Sequence, residues 1–130
     1  MATLQELRKY LGYQFSTGSY TGEDYKRFQT KYINYLKTVA KQNGWELANV
    51  GRSHYCFSAF FKEGEKYVYI SIPDVRYWDN EWYLNILIRN AKHAKDYRGC
   101  RNYRTDLEDL AAEVRRLFGI WETETTKGGW

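Results

Sequence analysis

Apolar residues recur at helical spacing in three stretches of the chain and alternate at strand spacing in four. Residues 3–11 predict a short helix. Leu4, Leu7 and Leu11 fall on one side, Thr3 and Glu6 form a capping box, and Gly12 stops it. Residues 13–22 are rich in Tyr, Ser, Thr and Gly and predict a loop. Residues 23–43 predict the main helix, about 32 Å long at 1.5 Å per residue. Thr21 and Asp24 resemble a second capping box. Tyr25, Phe28, Tyr32, Tyr35, Leu36 and Val39 share an arc of about 100°, enough to cover one core face. Acids open this helix and lysines close it, the order that the helix dipole favours.

After Gly44 the period changes to two. Trp45 to Val50 predicts a first strand, with Gly51, Arg52 and Ser53 as a turn. His54 to Lys62 predicts a second, with Tyr55, Phe57, Ala59 and Phe61 on one face and His54, Cys56, Ser58 and Phe60 on the other. Glu63-Gly64-Glu65 predicts a hairpin turn. In the third strand, Lys66 to Ile72, Val68, Ile70 and Ile72 face inward and Tyr67, Tyr69 and Ser71 outward. Pro73 belongs at an edge, a bulge or the strand end because it donates no ladder bond, and Val75 to Trp78 is a possible continuation. Asp79-Asn80 turns the chain. Trp82 to Arg89 predicts a fourth strand, with Leu84, Ile86 and Ile88 inward and Tyr83, Asn85, Leu87 and Arg89 outward. Thr105 and Glu108 suggest a third capping box, followed by a helical stripe of Leu107, Leu110, Ala111, Val114, Leu117 and Phe118 that Gly119 closes.

The expected architecture is an α+β domain in the order α-α-β-β-β-β-α. A four-stranded antiparallel meander carries helices on one face, because the links are short. One domain is expected over residues 1–121, with 122–130 as a polar, mobile tail. The second face of the sheet would show Tyr67, Tyr69, Tyr83 and Leu87. Two readings stand for that face: an open surface that stacks bases or docks a protein, or a surface covered by the first helix or the N-terminal loop.

Composition adds three constraints. Aromatics make up 18% of the chain, with 13 Tyr and 5 Trp, residue types that serve both cores and binding faces. No run of about 18 apolar residues occurs, so no membrane span is expected. The start, MATLQELRKY, lacks an apolar run, so no signal peptide is expected and a cytoplasmic location is anticipated. The two cysteines, Cys56 and Cys100, form no CxxC, so reduced thiols are expected, with a Cys56–Cys100 disulfide as the alternative.

Charge changes the picture most. Arg89 to Arg104, RNAKHAKDYRGCRNYR, carries Arg89, Lys92, Lys95, Arg98, Arg101 and Arg104 against Asp96 alone. The whole chain is only +4, so the remaining residues are close to neutral. Cations three residues apart spread around a helix and alternate on a strand. Asp96, Gly99 and Asn102 favour a loop instead. His93, Tyr97 and Tyr103 lie among the cations, a mixture suited to a polyanion, nucleic acid first. The bland alternative is a solvated loop whose cations pair with acids elsewhere.

No phosphate loop, HExxH, GxSxG or Walker pattern is present, and no cofactor is expected. His54 alternates along a strand beside Cys56 and reads as a core or half-buried residue. His93 could act as a general base for metal-independent RNA cleavage, with Tyr97, Arg98 and Arg101 supplying proton donor and phosphate contacts. Asp74, Asp79 and Glu81 surround a turn without ligand spacing, so no metal site is expected.

The pieces Asn80-Glu81-Trp82-Tyr83, Leu87-Ile88-Arg89, Ala91-Lys92-His93 and Asp96-Tyr97 resemble small proteins of phages, plasmids and conjugative elements of Gram-positive bacteria. Those proteins tend to carry a second Gly where this chain has Cys100. The resemblance implies a mobile-element setting, in which small non-catalytic proteins counter host defence and anti-CRISPR inhibitors are one class. A basic chain is a poor mimic of DNA, so the implied partner is guide RNA, DNA or the CRISPR nuclease ribonucleoprotein. Three functions are therefore expected as alternatives: a non-catalytic nucleic-acid or ribonucleoprotein binder, a toxin-like ribonuclease, and a protein-interaction module using the Tyr face. Oligomeric state is left open.

Overall fold

The computed structural model describes residues 4–13, 23–52, 57–72, 81–98 and 100–126, and at Arg52 and Glu81 the backbone alone. Helix α1 (Leu4–Arg8) is followed by the long α2 (Glu23–Asn43). The expected stripe of α2 is buried at Tyr25, Phe28, Tyr32, Leu36 and Val39, with Tyr35 half-buried, and Gln29, Ile33 and Ala40 join it. Gln29 tolerates burial because its amide donates to the Tyr25 hydroxyl at 3.1 Å. Gly44 ends α2 with φ +74, and Trp45 N–H returns to the Ala40 carbonyl at 2.8 Å. That i→i−5 bond satisfies a terminal carbonyl, and the left-handed conformation is one that glycine enters without a Cβ penalty.

Among the described residues five strands follow: β1 (Glu46–Arg52), β2 (Phe57–Glu63), β3 (Lys66–Ile72), β4 (Ile86–Ala91) and β5 (Tyr103–Thr105). They form one antiparallel sheet in sequential order. Glu63 pairs with Lys66 across a two-residue link, and Gly64 takes the positive φ that the first central position of a tight II′ hairpin turn needs. Gly51 and Arg52, expected in a turn, continue β1 beyond a register shift between Ala48 and Gly51.

The core lies between α2, α4 (Leu110–Gly119) and one face of the sheet. Val68, Ile70, Ile72, Ile86 and Ile88 enter it as their parity predicts, and rings close it. Phe28 meets Trp82 at 4.9 Å, Tyr32 meets Phe57 at 5.2 Å, and Trp45 meets Phe118 at 5.3 Å. Fully burying side chains of this size contributes about 1.5–3 kcal/mol each before entropy is counted.

Four expectations are corrected. First, the sheet has five strands among the described residues, because Tyr103–Thr105 pairs with Ile86–Ile88. Those residues are claimed by the ladder, so the last helix starts at Leu110 rather than Thr105. The Thr105 hydroxyl goes to the Asp106 carbonyl, while the Asp106 side chain accepts the Asp109 N–H at 2.8 Å. Second, Glu81–Leu84 is a helical turn, α3. Trp82 and Tyr83 are both buried, which adjacent positions of a one-sided strand cannot achieve, and Leu84 is left exposed.

Third, Tyr83 does not join the Tyr-lined face. Its hydroxyl donates to Glu108 at 2.7 Å and accepts from Arg8 Nε at 2.9 Å, and Arg8 also pairs with Glu108. This clasp ties α1 to α3 and to the approach to α4. Fourth, the expected tail carries α5 (Trp121–Thr126). Trp121 Nε1 donates to the Ala91 carbonyl at 2.8 Å, and Glu124 accepts the Tyr103 hydroxyl at 2.6 Å.

The caps at Thr3 and Thr21, the loop beyond residue 13, His54, Cys56, Pro73, Asp74, the Val75–Trp78 continuation and Asp79 lie outside the described residues. Cys100 is a free, buried thiol.

A candidate nucleic-acid interface

Side chains paired across an antiparallel ladder point to the same side. On the sheet face away from the helices, the register therefore sets Ala48, Phe60, Tyr69 and Arg89 in one row. Phe60 is fully buried yet stands apart from the main core. What covers it is the β4–β5 connection. Tyr97 folds back so that its ring lies 5.6 Å from Phe60 and 6.0 Å from Tyr69, edge-on to both. The Tyr face is thus roofed by the basic loop itself; α1, foreseen as one cover for it, packs against α2 instead, and residues 14–22, the other cover foreseen, lie outside the described residues.

Arg89 holds the loop down. Its guanidinium sits 4.5 Å over the Tyr69 ring, donates to Asn102 Oδ1 at 3.2 Å and donates to the Tyr97 carbonyl. It therefore joins the two halves of the loop to the sheet. From the far edge Asn49, at φ +47 in the irregular part of β1, donates to the Ala94 carbonyl and to the Tyr97 hydroxyl at 2.9 Å. Asn is among the few residue types that enter the left-handed region readily. Within the loop, Asp96 accepts the Lys92 N–H at 2.9 Å and His93 Nδ1 accepts the Lys95 N–H at 3.1 Å. At the root, Cys100 N–H bonds the Asn90 carbonyl at 3.0 Å.

The six cations separate into three groups. Lys92, Lys95 and Arg98 are exposed on the braced loop, and among the described residues none pairs with a carboxylate. Arg101 and Arg104 are also exposed, at the β5 edge. Arg101 lies 5.6 Å from the Tyr103 ring, which Arg116 also approaches at 4.8 Å. Arg104 lines a recess of about 300 Å3 with Leu84, Asp106, Asp109 and Glu113, so acids offset its field. Arg89 is half-buried and structural. Tyr67 is half-buried on the loop's side of the sheet, 5.8 Å from Lys62 Nζ. Tyr103 belongs to the α5 side, and its bond to Glu124 holds its hydroxyl above the ordinary phenol range.

Burial pushes the Cys100 thiol up, which keeps it in the unreactive protonated form. Among the described residues no three His, Cys, Asp or Glu side chains converge as a metal site. No described helix is long and apolar enough to cross a membrane.

The residues that sequence reasoning missed are Asn49, Phe60 and Asn102. Phe60 carried a signal: Phe57, Ala59 and Phe61 alternate with it, so β2 is apolar on both faces, the mark of a strand covered on both sides. Asn49 and Asn102 carried none, because their roles depend on partners far along the chain or on the path of the loop. Comparison with protein-family models, with curated proteins and with solved structures found no match.

Proposed function

We propose that the protein is a non-catalytic binder that engages nucleic acid, alone or within a ribonucleoprotein, through the β4–β5 loop. The observation that carries this reading is the pairing of rigidity with free charge. Lys92, Lys95 and Arg98 stand exposed, without carboxylate partners among the described residues, on a loop fixed by Arg89 and Asn49. A loop backbone already braced loses little freedom when the cations it carries meet a phosphate backbone. In a mobile element acting in the bacterial host cytoplasm, the specific form of this function is an anti-CRISPR protein that grips guide RNA, DNA or the RNA-guided nuclease.

The ribonuclease reading is less well supported. The His93 Nδ1 lone pair accepts the Lys95 N–H, which leaves the neutral ring its proton on the outward Nε2. A general base needs that outward lone pair free. The interaction-module reading loses surface, because the Tyr face is half covered by the loop.

Salt-dependent binding tests the proposal. A change of Lys92, Lys95 and Arg98 together to Ala removes up to three phosphate contacts and flattens the log–log salt slope by about 2–3. Unchanged affinity and slope in that variant would falsify it. In CRISPR cleavage assays, excess protein should inhibit at least one nuclease type, and absence of inhibition across types removes the specific form. RNA cut by the protein alone, and spared by His93→Ala, would establish the ribonuclease instead.

A further inference from the structure

We infer that the strand met by this loop is single, with one of its bases stacked on Tyr97. The inference rests on the binding function proposed above and narrows it to a class of ligand.

Tyr97 is 51% exposed, the most exposed aromatic side chain among the described residues. An exposed ring is ordinarily free to turn, and this one is not. Its body lies against Phe60 and Tyr69, its hydroxyl is held by Asn49, and its own carbonyl is held by Arg89. The folded protein has already met the cost of ordering an aromatic surface in water. Packing alone does not require this, because Phe60 needs only part of the ring as cover. What remains in solvent is a fixed aromatic surface with Lys95 and Arg98 beside it in the chain and Lys92 on the same short loop.

Single strands are bound by that combination. Cations follow the backbone while an aromatic side chain takes an unpaired base. A duplex offers the ring nothing comparable, since its bases already stack on one another. The described loop is also a series of tight turns, not the helix or two-stranded ribbon that fills a major groove. Duplex contact here would be limited to phosphates and would leave Tyr97 unused.

The test measures fluorescence anisotropy of a labelled short oligonucleotide, as single-stranded RNA, single-stranded DNA and the matching duplex, at one salt concentration and across a salt series. The wild-type protein should prefer either single strand to the duplex by about tenfold or more. Tyr97→Ala should weaken single-strand binding by roughly 5- to 150-fold, the value of one stacked base, while leaving the salt slope unchanged. Tyr97→Phe keeps the ring and should bind within about threefold of wild type. Tyr97→Leu keeps apolar cover over Phe60 but offers no aromatic surface, so it should bind as poorly as Tyr97→Ala.

Equal binding of duplex and single strands, or full affinity in Tyr97→Leu, overturns this inference and leaves the wider function standing. No binding of any oligonucleotide by the wild-type protein overturns both. Preference for RNA over DNA, or the reverse, identifies which single strand is the ligand.

Discussion

Arg89 offers the sharpest test of how the loop is built, because it can be changed while Lys92, Lys95 and Arg98 are all kept. Its side chain makes one contact with the Tyr69 ring and donates to Tyr97 O and Asn102 Oδ1. A hydrogen bond from a charged group contributes about 1.5–3 kcal/mol, and a partly exposed cation–π contact about 0.5–1 kcal/mol. The low ends of these ranges sum to about 3.5 kcal/mol, and water competing at the site discounts that sum, so Arg89→Ala should cost about 2–4 kcal/mol. The cost falls on closure of the loop, whose turns are joined to the sheet chiefly through this side chain and Asn49. Arg89→Lys keeps the charge and the ring contact but cannot reach both acceptors, and should cost about 1–2 kcal/mol. Hydrogen exchange of residues 92–102 reads the effect directly. A local loss of 2 kcal/mol speeds exchange there by about 30-fold while the core strands are much less affected. In the binding assay Arg89→Lys should lose affinity with the salt slope intact, since the exposed cations are untouched. If exchange in the loop is unchanged in both variants, the bracing argument is wrong and the loop is held by something else.

Three further outcomes follow from the geometry. Asn90 is fully buried and neither end of its side-chain amide has a partner among the described residues, so Asn90→Leu should raise stability by about 1–3 kcal/mol in urea unfolding. A loss of similar size would mean that the amide is hydrogen-bonded in solution, for example to an internal water. The Glu108 carboxyl is held below its ordinary range by the Tyr83 hydroxyl and then by Arg8. Its contribution is therefore complete above the unfolded carboxylate pKa and disappears as pH falls through the lower folded value. Glu108→Gln should reduce the acid dependence of stability, and an identical pH profile would refute the clasp. Tyr103→Phe removes the charge-assisted bond to Glu124 and should loosen α5, costing about 1–2 kcal/mol, with faster exchange at residues 121–126 as the readout.

The binary pattern placed α2, the stripe of α4 and the three strands β1 to β3 because those features are local. A helix needs only its own spacing and caps, and Gly44 and Gly64 stop or turn the chain with conformations that glycine enters without a Cβ penalty. The pattern failed at Trp82 and Tyr83, where two adjacent large rings both had to be buried and a helical turn was the way to do it. It failed again at Tyr103 to Thr105, where a short polar segment became a strand because β4 offered an unpaired edge. The α5 segment has too little apolar content to predict a helix. It is held by Trp121 and Glu124 reaching groups on β4 and β5.

Sequence by itself determined that the surplus positive charge is carried in one stretch, since charge is counted along the chain. Which of those charges meets solvent was decided only by the tertiary structure. Arg89 became a brace because cross-strand register put Tyr69 opposite it, and Tyr97 became a fixed ring because Asn49, 48 residues away, lies at the bulged edge of the same sheet. Free cations and structural ones have the same composition and differ only in what the fold brings within hydrogen-bonding reach.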